Sequence, residues 1–234
     1  MVHSTAHVAN ASMYKKLPYD TLKDFAGVGL LAAQLGALTV HPALPAKTVR
    51  EFIALAKSRP DQINYSSSGN GSAPHLAMAM LASMTGIKLQ HVPYKGAGPA
   101  LNDLMGGHVQ MFFSTPSSMV GHVRNGRLKA IGITADQRLP ALPNVATFAE
   151  QGITDFDVKS LRGMLAPKGT PKPIMERWSS ELQKVLKMPD VVEKMSAQGM
   201  GPFFMTPAAF ETRMRVEFAN YARVIKLADI KGER

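Results

Sequence analysis

The central third of the chain alternates short apolar runs with amphipathic stretches of helical period. Thr48-Val49-Arg50-Glu51 forms a capping box, in which Thr48 caps a helix start and Glu51 reaches back. It opens a helix over Val49–Ser58 that stops before Pro60. Gln62–Ser66 reads as a strand, and Ser72, an N-cap residue, precedes a helix over Ala73–Thr85 with Gly86 at its C′ position. The pattern repeats with a strand at Leu89–Val92, a helix at Ala100–Met105 after Pro99, a strand at Val109–Phe113, a helix from Ser114-Thr115-Pro116 to near Gly126, and a strand at Leu128–Thr134. Strands alternating with helices predict an α/β fold with a parallel sheet and helices on its faces. The longest apolar run, Phe25–Val40, holds Gln34 and three glycines. It falls short of the ~20 residues a spanning helix needs and fits buried strands better.

The same pattern places three polar loops, Ser66–Ser72, Tyr94–Gly98 and Ser114–Thr115, between the carboxyl end of a strand and the start of a helix. In an open α/β sheet that edge is where ligands bind. The C-terminal third reads as helical. Thr170 is the expected cap of a helix whose apolar face is Ile174, Trp178, Leu182 and Val185. A short helix runs from Pro189 to Gln198 and stops at Gly199. The last helix starts at Pro207 with the stripe Phe210, Met214, Phe218, Tyr221 and Ile225. Core packing is the expectation for these stripes.

Composition narrows the chemistry. The 234 residues are 45% hydrophobic and 19% charged, an ordinary globular balance that suits one large domain or two small lobes. The absence of cysteine excludes disulfides, thiolate metal sites and cysteine nucleophiles. The formal charge of +10 permits an anionic partner. The basic residues are spread along the chain with few aromatics interleaved, which fits solvated faces rather than nucleic-acid binding. The fifteen methionines fit core filling.

Motifs for catalysis or cofactor binding are missing. Gly69-x-Gly71 meets Pro74 where a dinucleotide fingerprint needs its third glycine, and Gln90 and His91 stand where the ribose-binding acid belongs. Neither a Walker-type lysine nor Gly-x-Ser-x-Gly occurs. The seven histidines form no metal-ligand pattern. His75 falls in the first turn of its helix, where a neutral ring can hydrogen-bond a loop. Asp103, Glu150, Asp155 and Asp157 lie in helix or loop contexts where solvation is the default. What remains is the loop set: orphan N–H groups and positive helix ends, with small polar side chains and the glycines at 69, 71, 96 and 98. Such a set suits a small anion held by hydrogen bonds, without cofactor or metal.

These stretches carry a family resemblance. His7 with Leu17-Pro18-Tyr19-Asp20 and Lys23-Asp24-Phe25, then Asn64–Ser72, His75-Leu76, His91-Val92-Pro93-Tyr94-Lys95-Gly96, Leu139-Pro140-Ala141-Leu142-Pro143 and Leu165–Pro171 follow one another in family order. The chain resembles the substrate-binding receptors of tripartite tricarboxylate transporters, the Bug-type receptors. The resemblance implies a two-lobed, type II periplasmic-binding-protein fold that closes on a small organic carboxylate, performs no chemistry, and delivers its ligand to the membrane subunits of a transporter. It implies a first lobe from residues 1–40 and 135–234, a second from 41–134, and hinge strands near Leu35–His41 and Leu128–Thr134. By the same carry-over, Ser68, Gly69, Asn70, Gly71 and Ser72 and the loop residues Tyr94, Lys95 and Gly96 hold carboxylate, while Ser4 and Thr5 line the opposite side.

Departures from the family pattern sharpen the expectation. Ser114 stands where the family usually has aspartate, and Leu161 and Arg162 where it has aromatics. Removing one negative charge and adding a guanidinium favours a more anionic ligand, a di- or tricarboxylate, so Ser114 and Arg162 join the expected ligand-binding set. The family's first strand, Gly-rich loop, helix and second strand have no counterpart here, which makes an N-terminally truncated first lobe the expectation. The family implies the periplasm; a chain that truly starts at Met1, which opens without a secretory pattern, would stay in the cytoplasm. Two alternatives stay open: an α/β enzyme acting on a small carboxylate, and a truncated remnant that no longer binds.

Overall fold

In the computed structural model, Thr48 Oγ1 accepts the Glu51 N–H at 3.1 Å and the Glu51 carboxylate accepts the Lys47 N–H at 2.7 Å. The capping box therefore forms, shifted by one residue on its return arm, and starts α2 (Val49–Ser58) where the sequence places it. The structure describes residues 2–156, 158–197 and 200–231; Asp157, Gln198 and Gly199 fall outside that description.

The chain divides into two units, residues 35–159 and residues 1–34 with 160–234. These boundaries differ from the expected ones at 40/41 and 134/135. The strand near the first expected hinge, β3 (Ala37–Val40), pairs on both sides inside the middle unit, with β6 (Met111–Ser114) and β7 (Lys129–Ile133). The second expected hinge is β7 itself, and the following segment stays with the same unit: the Phe148 N–H donates to the Ile133 carbonyl, and the Phe148 and Phe156 rings lie 4.5 Å apart, tilted by 31°.

The middle unit is a five-stranded sheet in the order β5–β4–β6–β3–β7, with β4 at Asn64–Ser67 and β5 at Gln90–Pro93. β4 runs parallel to β5 and β6, as the strand–helix alternation requires, but β3 is antiparallel to both its neighbours. The sheet is therefore mixed rather than wholly parallel, because β3 enters from outside the β–α–β series. Three helices follow three of the four strands that run in one direction: α3 (Ala73–Thr85) after β4, α4 (Ala97–Met105) after β5 and α5 (Pro116–Arg124) after β6. Gly86 closes α3 in the left-handed conformation, φ 70°. Phe52, Leu76, Leu104, Met111 and Phe112 are buried between sheet and helices.

The other unit is a four-stranded antiparallel sheet, β1 (Val2–His3), β8 (Ser160–Pro167), β2 (Phe25–Gln34) and β9 (Met200–Met205), in that order. α1 (Thr5–Met13) and α8 (Pro207–Leu227) pack together, and α8 lies on β2. Four residues of the expected α8 stripe are core, with Phe210, Met214, Tyr221 and Ile225 buried, while Phe218 is half-buried. The stripe of α6 (Lys172–Val185) is not core: α6 touches β2, yet Ile174, Trp178 and Val185 are each more than 40% exposed. Thr170 does not cap this helix either. Its hydroxyl donates to the Pro167 carbonyl at 2.8 Å, and Pro171 takes the cap position. α7 (Pro189–Ala197) packs on β9.

Candidate functional site

Parallel pairing of β5, β4 and β6 brings their carboxyl ends, Pro93, Ser67 and Ser114, to one edge of the sheet. The loops that leave this edge run directly into α4, α3 and α5. Each helix start carries a polar or glycine cap residue, Gly96, Ser72 and Thr115, and in none does the cap side chain bond the helix backbone. α2 in the same unit, by contrast, is capped by the Thr48 side chain. Ser72 Oγ is buried without a partner among the described residues. A buried hydroxyl left so costs about 1–3 kcal/mol.

The loop after β4 is tied down from within. The Gly69 N–H donates to Ser67 Oγ at 3.1 Å, the Gly71 N–H to His75 Nδ1 at 3.1 Å and the Ser72 N–H to the Gly69 carbonyl at 3.2 Å. Gly69 and Gly71 hold positive φ, 123° and 69°, which side-chain-bearing residues rarely adopt. The N–H groups of Gly69, Gly71 and Ser72, expected to face a ligand, are thus spent on the loop itself. The helix-start N–H groups of Ala73 and His75 lie ahead of the first helical bond, which Leu76 makes to the Ser72 carbonyl.

Behind the loop stand three stacked rings. His75 lies 3.7 Å from His91, and His91 lies 4.9 Å from Tyr65. His91 Nε2 is 2.7 Å from Ser67 Oγ. Burial lowers the pKa of His75 to about 4, with repulsion from His91 adding to it, and burial lowers that of His91 to about 4. Both rings are neutral at pH 7. His75 bonds its loop as the sequence suggests; His91 and Ser67 were not among the expected site residues, since their partnership spans 24 residues.

The other expected residues fare unequally. Tyr94 turns its hydroxyl to Asp103 Oδ2 at 2.5 Å. Burial first, then this bond and the Asp103 charge, push its pKa up to about 12. The hydroxyl is therefore occupied, while Lys95 is exposed and pairs with no carboxylate among the described residues. Gly96 stands at the start of α4 with φ 115°. Ser114 is 6% exposed and its hydroxyl lies 3.4 Å from that of Thr39 on β3, so the structure makes it a core contact rather than a surface one. Ser68 and Asn70 lie partly or fully exposed on the loop.

In the other unit, Ser4 caps α1 without a side-chain bond, and the buried Thr5 places Oγ1 3.4 Å from Ser160 Oγ. Arg162 Nη1 donates to the same Ser160 hydroxyl at 2.9 Å and to the Leu161 carbonyl at 3.4 Å. The guanidinium is half-buried, and burial pulls its pKa down. Among the described residues it meets no carboxylate. The structure thus brings Thr5 and Arg162 together through Ser160, a residue the sequence reading did not single out, while Ser4 makes no bond to this group among the described residues.

The family model of the tripartite tricarboxylate transporter family receptor matches residues 1–229. A UPF0065 protein from the tcbD–tcbE intergenic region of Pseudomonas sp. strain P51 is 34% identical over 227 residues, covering 96% of this chain and 67% of its own. The chain spans about two-thirds of the length of the curated relatives it matches. The structure of Rpa4515 from R. palustris with adipate is similar at TM-score 0.82 and 28% identity, covering 98% of this chain and 77% of that one. MatC from Rhodopseudomonas palustris with bound malate is similar at TM-score 0.78 and 28% identity, covering 96% and 78%.

Proposed function

Because the chain belongs to the tripartite tricarboxylate transporter receptor family, a family of binding proteins rather than enzymes, we propose that it captures a small organic carboxylate and presents it to the membrane subunits of such a transporter in the periplasm. The observation that carries this reading is the sheet edge of the middle unit. Three open helix starts converge there, with the orphan Ser72 hydroxyl and the exposed Lys95. A carboxylate supplies acceptors for the open N–H groups and for Ser72 Oγ, and its charge is favoured by three positive helix ends at about 0.3–1 kcal/mol each. Relatives crystallised with adipate and with malate make dicarboxylates the first ligands to try.

Two titrations test it. Calorimetry with malate, adipate and citrate against their amides should show binding of the acids and at least about tenfold weaker binding of the amides, because an uncharged carbonyl forfeits both the charge–dipole term and the charge-assisted bonds. Equal affinity for acid and amide would reject anion capture, and consumption of any bound acid would reject a receptor. A second expectation concerns Arg162. A half-buried guanidinium that meets no carboxylate among the described residues is set to take one, with Nε and Nη2 unbonded among those residues and open to a paired contact. Arg162→Ala should lower affinity for di- and tricarboxylates by about tenfold or more, and Arg162→Lys should recover only part of it. Unchanged affinity for all of them would remove Arg162 from the site.

A further inference from the structure

We propose that His75 and His91 are positioning residues, a neutral stacked pair that locks the loop 67–72 in its carboxylate-receiving shape; this rests on the reading of that loop as the anion site. The geometry is reciprocal. The Gly71 N–H has only one way to bond His75 Nδ1, by donating, so this nitrogen carries no proton and Nε2 does. Ser67 Oγ accepts the Gly69 N–H, donates to the Gly69 carbonyl at 3.0 Å, and lies 2.7 Å from His91 Nε2. The two rings thus anchor opposite ends of one loop, His75 at Gly71 and His91 at Ser67. The His75 and His91 faces meet at 3.7 Å and 21°, and Tyr65 from β4 lies beside the pair, 4.9 Å from His91 and 6.3 Å from His75. Each ring comes from a different element, α3 and β5, while the loop leaves β4, so a shift of the loop breaks contacts to both.

The pair works by what it takes away. By binding the N–H of Gly71 and, through Ser67, that of Gly69, it withdraws from a ligand the donors of the flexible glycines. Those left are at the start of α3, whose place the helix fixes. No carboxylate stands within ion-pair reach of either ring among the described residues, so nothing there holds a charged imidazole. A proton on His75 Nδ1 would set two donors against each other at Gly71 and place charge 3.7 Å from His91. The rings are therefore structural donors and acceptors, and Asn can copy the Nδ1 acceptor of His75 where Leu cannot.

The test uses the full chain, first without ligand. Imidazole ¹⁵N shifts should report His75 protonated at Nε2 alone at pH 7; a protonated Nδ1 would overturn the proposal. Amide exchange at Gly71 should speed up about tenfold in His75→Leu, the loss of one hydrogen bond, and stay close to the parent in His75→Asn. Amides of α8, in the other unit, should be unmoved in both. Equal exchange in the two variants would overturn the lock. Malate and adipate are then titrated. If His75→Leu loosens Gly71 and weakens whichever acid the parent binds, while His75→Asn keeps it, the positioning role stands. Loosening without loss of affinity would overturn that role. A parent that binds no carboxylate would refute the receptor reading, while the exchange result still decides the lock.

Discussion

Alanine at Gly163 should destabilise the four-stranded unit by about 2–3 kcal/mol, and valine by more. A Cβ at this position would come 2.3 Å from Phe210 Cζ and within 3.0 Å of two further ring atoms. Phe210 is wholly buried on α8, with His3 edge-on to it at 5.2 Å. On the neighbouring strand, a Cβ at Gly27 would meet Phe210 Cδ1 at 2.9 Å. Two glycines on adjacent strands therefore make the floor on which one aromatic ring sits. Phe210→Ala should itself cost about 3–5 kcal/mol through the cavity it leaves. The two losses should not add: in a Phe210→Leu background, Gly163→Ala should cost under ~1 kcal/mol, since the colliding atoms are gone. Denaturant melts of the single and double variants measure this, and additive losses would show that the ring is not the obstacle. Leu161, Gly163 and Leu165 face the core while Arg162 lies half-exposed between them, so a shift of β8 to relieve Phe210 would carry Arg162 and Ser160 with it.

The parts of this architecture legible in the sequence are those with local causes. α2 and α3 begin and end where a capping box, an N-cap serine and a left-handed glycine put them. β8 was invisible because its pattern of Ser, Arg and Gly describes no strand by itself. It becomes one by pairing with β1 and β2, more than 120 residues away in sequence. α1 is unmarked in the sequence for a related reason: its small residues, about half of them buried, form no apolar stripe. The α6 stripe shows the converse, a helical period read correctly as a helix whose expected burial the fold does not supply. At the site, the sheet edge and its three loops followed from strand order alone. The bonds that decide which groups remain available did not: Tyr94 to Asp103, Ser114 to Thr39 and His91 to Ser67 join residues that only the folded chain brings together.

Stability should fall as the pH drops from about 6.5 to about 4, and the fall should begin above the range in which carboxylates protonate. His75 and His91 are neutral in the folded chain down to about pH 4, whereas in the unfolded chain they take protons near 6.5. Above 6.5 both states are neutral and the histidines cost nothing. Below it the unfolded chain binds protons that the folded chain refuses, so the folded state loses about 1.4 kcal/mol per pH unit for each such group. For the buried His75 this amounts to about 3 kcal/mol across the window; the more exposed His91 gives less. His7, held down by burial and by His3, acts in the same direction in the other unit. The carboxylates with lowered pKa, Asp20, Glu150 and Glu181, also add stability that acid removes. Their ordinary values of 3.8 and 4.5 put that loss at the lower end of the window and beyond. A histidine-driven loss is thus separable by pH. Denaturant melts at pH 7.5, 6.5, 5.5 and 4.5 should show a progressive fall below 6.5, and the double variant His75→Asn, His91→Gln should flatten most of it, since neither replacement titrates. A profile level down to pH 4.5, or an equal fall in the double variant, would mean that the stacked pair accepts protons as readily folded as unfolded, and that the loop it braces is not held by neutral rings.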